Sequence, residues 1–240
     1  LEVVMADVRQ QVAAGARHIS FGDPDFLNGP THAEKIIQAL HAGFPRITFD
    51  ATIKIQHIIE HAGMLPRLKQ AGCLFITSAV ESVDDTVLEY LAKRHSSADF
   101  DRAVALVRQA GIALAPTFVA FTPWTTLEGY IALLQRLLDL KLVESVPPIQ
   151  LAIRLLIPAG SYLLELPGFR ARLGPFDRQI LGFPWQHADA RVDRLQQDVQ
   201  QWVAEAEGRQ LARRDIFAAI WRLAHVAAGM DVPELPAGAL

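Results

Sequence analysis

The sequence has very little cysteine: Cys73 is the only one in 240 residues. A single thiol excludes an internal disulfide framework, and it also excludes a cysteine-ligated metal site built from this chain alone. Dense runs of Lys and Arg are missing, and the formal net charge is -3 at pH 7. A nucleic-acid surface that works by neutralising phosphates is therefore not expected.

Long apolar runs are absent as well. No stretch approaches the roughly 20 residues that cross a bilayer, and charged residues soon follow Leu1 to Val4, unlike in a signal peptide. We therefore expect a cytoplasmic protein that has neither a membrane nor a nucleic acid as a partner. Loops of the GxGxxG and P-loop types, the GxSxG nucleophile elbow and the HExxH zinc motif are also missing.

The residues that are present alternate between short apolar runs and helical periodicity, in a chain with 51% hydrophobic and 20% charged residues. Helical spacing begins at once, with Val4, Val8 and Val12. Strand-like runs and helical stretches then alternate; the strands are 18–21, 47–50, 74–78, 112–121 and 149–156, and the helices are 33–41, 55–70, 84–93, 100–110 and 127–140.

The strand-like runs are apolar throughout rather than alternating, which is typical of a parallel sheet covered on both faces. We predict an α/β fold, specifically a partial TIM-like barrel of parallel strands, with a doubly wound open sheet as the alternative. The predicted barrel covers residues 1–159. A Pro- and Gly-rich stretch then leads into a helical C-terminal region, 160–230, with helices predicted over 192–207 and 213–228, and a tail, 231–240.

Polar side chains lie where the predicted parallel strands end, so they converge on one rim of the barrel. Each one alone is more often a helix cap or a turn residue, but together they suit a small polar ligand that carries carboxylate and amine groups. The set is Asp23, Asp25, Asp50, Thr52, Lys54, Ser78, Glu81, Ser82, Thr117, Thr122, Trp124 and Arg154.

Two other candidates are weaker. His57 and His61 lie four residues apart on a predicted helix, as a metal-binding pair does, but a solvated helix face is the favoured interpretation. Cys73 follows Gly72 at the start of a strand, opposite the predicted site, which favours a buried thiol over a nucleophile.

Two segments resemble motifs of the radical S-adenosylmethionine enzymes. Phe21-Gly22-Asp23-Pro24 is similar to their GGE(P) motif, and Ser78-Ala79-Val80-Glu81-Ser82, followed by Leu88, Leu91, Lys93, Arg94 and His95, is similar to their VES segment. The runs FGDPDFLNGPTHA, SAVES, PTFVAFTPWTTLE and IQLAIRLLIPAGS more closely resemble the group named for a CUAEP or CCAEP tail. The resemblance covers nearly the entire chain.

The resemblance implies a six-unit partial barrel whose first strand is missing here, which binds a [4Fe-4S] cluster and S-adenosylmethionine. Reductive cleavage of the sulfonium would yield a 5'-deoxyadenosyl radical that abstracts hydrogen from a small-molecule or peptide substrate, with electrons from a donor such as flavodoxin or ferredoxin. Cobalamin is left open, because a cobalamin-binding domain often precedes this type of core.

The resemblance also assigns the residues of the predicted rim. Gly22 and Asp23 would bind the methionine amine with support from Asp25, and the ribose and carboxylate would contact the residues from the VES segment onward. These residues are Ser78, Glu81, Ser82, Lys93 and Arg94, with Arg154 as a further carboxylate ligand. A substrate pocket is assigned to Asp50, Lys54, Thr117 and Trp124; no metal ligand is predicted, and the catalytic residues are not identified.

The sequence departs from this family at three points. The CxxxCxxC motif that ligates the cluster is absent, Asp23 stands where the family has Glu, and no CUAEP-type tail is present. We therefore interpret the chain as a fragment cut between the cluster loop and the tail, inactive by itself. Two alternatives remain: a hydrolase or aldolase whose divalent cation is held by Asp23, Asp25, Asp50 and Glu81 with Lys54 as base, and a non-catalytic S-adenosylmethionine-binding scaffold.

Overall fold

A computed structural model describes residues 1–235 of the chain, which divide into two compact units. The first unit comprises Leu1–Val80 with Ser97–Thr117, and the second comprises Glu81–Ser96 with Phe118–Leu240. The predicted boundaries at 159 and 230 remain predictions. Residues 236–240 of the predicted tail lie outside the described part.

Nine α-helices are present among the described residues. They are α1 (Glu2–Ala13), α2 (Pro30–Gly43), α3 (Ile55–Glu60), α4 (Leu65–Gln70), α5 (Asp85–Tyr90), α6 (Ser97–Gln109), α7 (Leu127–Asp139), α8 (Ala190–Gly208) and α9 (Arg213–Ala228). The helix predicted over 55–70 is wrong as a single element, because a 3-10 turn at Ala62–Met64 separates α3 from α4. Pro66, in the first turn of α4, explains the break, because it has no N–H to donate to the carbonyl four residues earlier, that of Ala62.

The sheet consists of β1 (His18–Phe21), β2 (Thr48–Thr52), β3 (Cys73–Glu81) and β4 (Ala113–Phe118), in the order β1-β2-β3-β4. The first two pairs are parallel, with Ser20 opposite Asp50 and Thr52 opposite Thr77. Four of the five predicted strands are thus found, and the α/β class is confirmed.

The two faces of the strands differ, which corrects the prediction that both are buried. One face carries fully buried apolar side chains such as Phe49, Ala51 and Ile76, whereas Asp50 and Thr77 on the other face are only partly buried. Small and polar residues recur on this second face in all four strands. The parallel sheet therefore presents one polar face among the residues of the first unit.

The predicted fifth strand, 149–156, is wrong. Pro148–Leu151 forms a 3-10 turn, and the segment pairs with its neighbour only through an isolated bridge between Phe121 and Arg154. Gln150 Oε1 accepts the backbone N–H of Phe118 at 3.0 Å, so a side chain from 32 positions away satisfies a donor that a fifth strand would otherwise take.

Helices α7, α8 and α9 form the core of the second unit. Apolar side chains at helical spacing, including Leu134, Val199 and Ile220, are fully buried. Two of the helices are capped by side chains: Thr126 accepts from Gly129 N at 2.9 Å, and Asp189 accepts from Arg191 N at 2.9 Å. The helices predicted over 192–207 and 213–228 are therefore found.

Candidate functional site: two polar clusters

The loop that follows β1 carries Gly22, Asp23 and Asp25. Its turn is closed by the side chain of Asp23, whose Oδ1 accepts the backbone N–H of Asp25 at 2.8 Å. Asp23 is exposed, and its second carboxylate oxygen has no hydrogen bond or ion pair among the described residues. The loop therefore holds one carboxylate oxygen inward and leaves the other available to a ligand.

Gly22 is exposed in this loop, and neither packing nor backbone conformation requires a glycine there. A Cβ atom built at Gly22 would meet no other atom within 4 Å, and its φ is not in the left-handed region. The loop borders a cavity of about 350 Å³ whose wall also includes Asp7, Phe26 and His32. The space beside Gly22 is thus open to a ligand that approaches the backbone.

Asp25 turns inward instead. It is 4% exposed, and its Oδ2 lies 2.8 Å from His57 Nδ1 and 3.2 Å from Lys54 Nζ. Its Oδ1 accepts the backbone N–H of Lys54 at 3.3 Å. Burial by itself raises the pKa of Asp25, but the hydrogen bond from His57 and those from the Lys54 backbone and side chain outweigh it, so its pKa is lowered.

These contacts make a structural cluster of Asp25, Lys54 and His57 at the start of α3. The carboxylate ties the loop after β1 to the first turn of that helix, and Lys54 is the residue that precedes the helix. The interpretation of His57 as part of a solvated face is wrong, because its side chain is 19% exposed and is paired with Asp25. Sequence spacing gave no signal for a pair 32 residues apart.

Asp50 lies on the polar face of the sheet with a network that the sequence did not indicate. Its Oδ1 lies 2.8 Å from His18 Nε2 and accepts the hydroxyl of Ser20 at 2.6 Å, and His18 Nδ1 lies 2.8 Å from Thr48 Oγ1. Side chains of β1 and β2 therefore converge on one carboxylate. The parallel register, which sets Ser20 beside Asp50, could have revealed part of this cluster.

Two further predicted residues of the first unit lie on β3 and β4. Ser78 is fully buried, and its hydroxyl donates to the backbone oxygen of Ile53 at 2.6 Å. Thr117 is half-buried near the end of β4. The hydroxyl of Ser78 is thus engaged inside the protein.

Glu81, Ser82, Lys93 and Arg94 belong to the second unit. Glu81 is the last residue of β3 and has a φ of 69°, and its Oε1 pairs with Lys93 Nζ at 2.8 Å. Ser82 Oγ accepts the N–H of Asp84 at 3.1 Å, while Arg94 is exposed. Because left-handed geometry is costly for Glu, this strand end is a strained position of the kind found at binding sites.

Arg154 has internal partners. Its Nη1 donates to Asp193 Oδ1 at 2.7 Å, its Nη2 donates to the backbone oxygen of Trp185, and its guanidinium lies 3.5 Å from the centre of the Trp185 ring. These contacts connect three segments of the second unit. A ligand carboxylate would have to compete with Asp193 for this guanidinium.

Trp124 lies between two aromatic rings of the second unit. It stacks on Tyr90 at 4.4 Å between ring centres and on Phe169 at 5.3 Å. The sequence predicts Trp124 as a pocket residue, but it gave no signal for Tyr90 or Phe169, which are 34 and 45 positions away. The partners of Trp124 are therefore known only from the structure, because sequence spacing does not indicate them.

Among residues 1–235, no group of three or more His, Cys, Asp or Glu side chains is arranged to hold a metal ion. The divalent-cation alternative therefore has no support from the geometry. Cys73 is buried, as predicted, and desolvation raises the pKa of its thiol to about 12. No described helix is both long and apolar enough to cross a membrane.

Comparisons with known proteins bear on the fold. No protein-family model matches the chain, and no curated protein matches its sequence. The structure of the cobalamin-dependent S-adenosylmethionine radical enzyme OxsB, with aqua-cobalamin and S-adenosylmethionine bound, is similar over 91% of this chain and 40% of its own, with a TM-score of 0.64 and 14% identity.

Two further structures are similar. Elp3 of Methanocaldococcus infernus with an N-terminal deletion matches over 86% of this chain and 58% of its own, with a TM-score of 0.51 and 13% identity. The radical S-adenosylmethionine methyltransferase TsrM of Kitasatospora setae, with cobalamin and a [4Fe-4S] cluster bound, matches over 57% and 28%, with a TM-score of 0.47 and 19% identity. The chain spans less than two thirds of the length of each protein. At these identities the likeness shows the fold, a partial TIM-like core of the kind that radical S-adenosylmethionine enzymes have.

Proposed function

We propose that this chain forms the S-adenosylmethionine-binding part of a radical S-adenosylmethionine enzyme core. The observation that carries the proposal is the likeness to OxsB over 91% of the chain, together with the polar residues that follow β1 and end β3. The OxsB structure holds S-adenosylmethionine and cobalamin, so cobalamin is included as a candidate cofactor of the whole protein.

The residues present do not fit an iron–sulfur cluster. A cluster with one open iron needs three thiolates, and the only cysteine is buried with a pKa of about 12. No step of the proposed function is therefore assigned to a cluster on these residues. Cluster ligands, where the whole protein has them, come from outside these 240 residues, and this polypeptide by itself is proposed to be inactive.

The same residues do fit the methionine end of S-adenosylmethionine, which carries an ammonium and a carboxylate. Asp23 offers a carboxylate oxygen without a partner, and the exposed backbone at Gly22 allows close approach. When bound at a reduced cluster, S-adenosylmethionine supplies radical chemistry for hydrogen abstraction. Gly22 and Asp23 bind and orient the amine, while Asp25 holds their loop on α3 through His57.

Polar residues of the second unit, taken by themselves, carry groups that suit the ribose and the carboxylate of S-adenosylmethionine. Glu81 and Ser82 lie at the end of β3, and Lys93 neutralises Glu81 while it remains 30% exposed. A carboxylate suits ribose hydroxyls, and an ammonium suits the methionine carboxylate. Arg94, exposed beside them, is a second cation for that carboxylate; Arg154 and Ser78, whose polar atoms have internal partners, are assigned to support rather than to ligand contact.

At a finer level, we propose membership of the group named for a CUAEP or CCAEP tail, on the four sequence runs that resemble it. The substrate would be a small molecule or a peptide, with Asp50, Lys54 and Thr117 of the first unit as its candidate contacts. Electrons would come from a flavodoxin or ferredoxin. The non-catalytic binding scaffold remains the alternative, because the one thiol of this chain is buried.

The test is calorimetric titration of S-adenosylmethionine into the 240-residue chain and three variants. Gly22→Ala fills the space that we assign to the ligand without straining the fold, and Asp23→Asn keeps an oxygen for the N–H of Asp25 while it removes the charge. Gly43→Ala is the matched control, because a Cβ there also meets nothing within 4 Å.

We expect saturable binding that both loop variants weaken by about tenfold, as the loss of a charge-assisted contact predicts, while the Gly43 variant binds like the wild type. Circular dichroism verifies that all variants are folded. Absence of saturable binding up to about 1 mM, or equal binding by Gly22→Ala, would count against the proposal.

A further inference from the structure

An aromatic stack in the second unit borders an open cavity. Tyr90 at the end of α5, Trp124 before α7 and Phe169 form it, with interplanar angles of 17° and 20° between successive rings. Near-parallel rings at these separations form an extended apolar surface onto which a further planar ring can stack. Trp124 is only half-buried and Tyr90 is exposed, so the stack is accessible.

The indole N–H of Trp124 distinguishes this tryptophan from the other three. Trp185, Trp202 and Trp221 each donate their indole N–H to a backbone oxygen, at 2.8, 3.2 and 3.1 Å respectively. Among the described residues, the indole N–H of Trp124 has no such acceptor. Since half-buried indoles usually satisfy this donor, the one at Trp124 is available to a ligand.

The cavity beside the stack has a volume of about 400 Å³, within the usual range for small-molecule sites. Leu166 to Phe169 form one wall and Arg172 closes another. Arg172 is exposed, and no acidic side chain among the described residues pairs with it. A guanidinium without a carboxylate partner at the edge of an aromatic cavity suits an anion.

The aromatic stack packs against a small apolar core. Phe169 is buried at 4% exposure with Ile157, Leu163 and Trp185, and Trp124 and Leu166 pack against this cluster. The rings are therefore positioned before any ligand arrives, which lowers the entropic cost of binding.

The polar groups around the cavity are donors: the indole N–H of Trp124, the guanidinium of Arg172 and the hydroxyl of Tyr90. We propose that this cavity binds a planar aromatic or heteroaromatic ring that carries a carboxylate or a phosphate. The ring stacks on the exposed Tyr90 and contacts the indole edge of Trp124, and Arg172 binds the anionic group. The proposal uses only residues of the second unit and does not depend on S-adenosylmethionine binding at Gly22 and Asp23.

The test follows the indole N–H signals of the uniformly 15N-labelled chain by two-dimensional NMR. Four signals are expected for the four tryptophans, and Trp124→Phe, which keeps a ring in the stack, identifies the signal of Trp124. The probes are adenosine 5'-monophosphate and indole-3-acetate. Their neutral counterparts, adenosine and indole-3-acetamide, show how much of the binding comes from the ring alone. Comparison of the two anionic probes shows whether a phosphate or a carboxylate is preferred.

We expect at least one anionic probe to shift the Trp124 signal in a saturable manner, and its neutral counterpart to bind about tenfold more weakly. Arg172→Gln should weaken the anionic probe by a similar factor. Arg178→Gln is the matched control, because Arg178 is also exposed in this unit but does not border the cavity, and it should leave the affinity unchanged.

Three results would overturn the proposal. The first is that no probe moves the Trp124 signal at concentrations up to about 5 mM. The second is that the two arginine variants weaken binding equally, which indicates a general charge effect. The third is that S-adenosylmethionine displaces the probes from Trp124, which makes this cavity part of the cofactor site; failure of S-adenosylmethionine to bind at all leaves the probe titration interpretable.

Discussion

The replacement Asp25→Asn tests the ion-pair cluster beneath the loop that follows β1. Removal of one member of a fully buried pair costs about 3–5 kcal/mol. Here the loss should be smaller, because the Lys54 side chain is 58% exposed and its ammonium can return to water. The variant also loses the ion pair with His57, whose Nδ1 lies 2.8 Å from Asp25 Oδ2, and a buried polar group left without its partner costs roughly 1–3 kcal/mol. We expect the free energy of unfolding to fall by about 2 kcal/mol at pH 7.

The stability difference between wild type and Asp25→Asn should depend on pH, in a direction that follows from the pKa of Asp25. The pKa of Asp25 in the folded protein lies below its ordinary value of 3.8, because the hydrogen bonds from His57 and Lys54 outweigh burial. A depressed pKa contributes stability that is fully present above the unfolded value and is lost as the pH falls through the folded value. The difference between wild type and Asp25→Asn should therefore shrink as the pH falls below 3.8.

Urea unfolding followed by far-ultraviolet circular dichroism, at several pH values between 3 and 7, measures both quantities. Tryptophan fluorescence is unsuitable, because Trp124, Trp185, Trp202 and Trp221 all belong to the second unit. Glu60→Gln is the control: Glu60 is 59% exposed and lies 4.0 Å from His57, so its effect should stay within about 0.5 kcal/mol. An unchanged stability at pH 7, or a loss that is the same at pH 3, would refute the reasoning.

Three further predictions concern structural positions. Cys73, buried with a pKa of about 12, should not react with a disulfide reagent at pH 8 until urea unfolds the chain; rapid reaction of the native protein contradicts this. Gly72→Ala should cost about 2 kcal/mol or more in urea unfolding, because the φ of Gly72 is +104° and a Cβ would lie 2.7 Å from a backbone oxygen, whereas Gly43→Ala should be nearly neutral. Tyr130→Phe should cost about 1–2 kcal/mol in the same assay, because it leaves the carbonyl of Leu151 without its 2.8 Å donor; no loss would mean that water replaces the hydroxyl.

The local sequence pattern was sufficient to predict the helices that bury one face against a core. The helix predicted over 213–228 is found with the same limits, because apolar residues at helical spacing leave few alternatives. The apolar run 149–156 failed for the opposite reason. An apolar run can be buried as a strand, a helix or a turn, so its sequence does not fix its conformation. The contact that prevents a strand here is the hydrogen bond between Gln150 and Phe118, which are 32 positions apart.

The candidate site, too, was predictable in part: the positions of its residues could be predicted, but their contacts could not. Its strand-end positions follow from the alternation of strands and helices, so Asp23, Asp50 and Glu81 were predictable as polar residues at or near the ends of strands. Their contacts were not. The sequence placed Asp25 beside Asp23 as a second ligand, but the structure turns it inward to His57, and it gives Asp50 the partners His18 and Ser20.

The sequence by itself determined the first four strands, the lack of cysteine ligands and the positions of the polar loops, because these depend on residue type and local spacing. Only the tertiary structure decided which polar groups are paired and which are left available to a ligand. Hydrogen bonds and ring contacts depend on distances of a few ångströms between residues that lie far apart in the chain. For that reason the inward turn of Asp25 and the stack of Tyr90, Trp124 and Phe169 could not be found from the sequence.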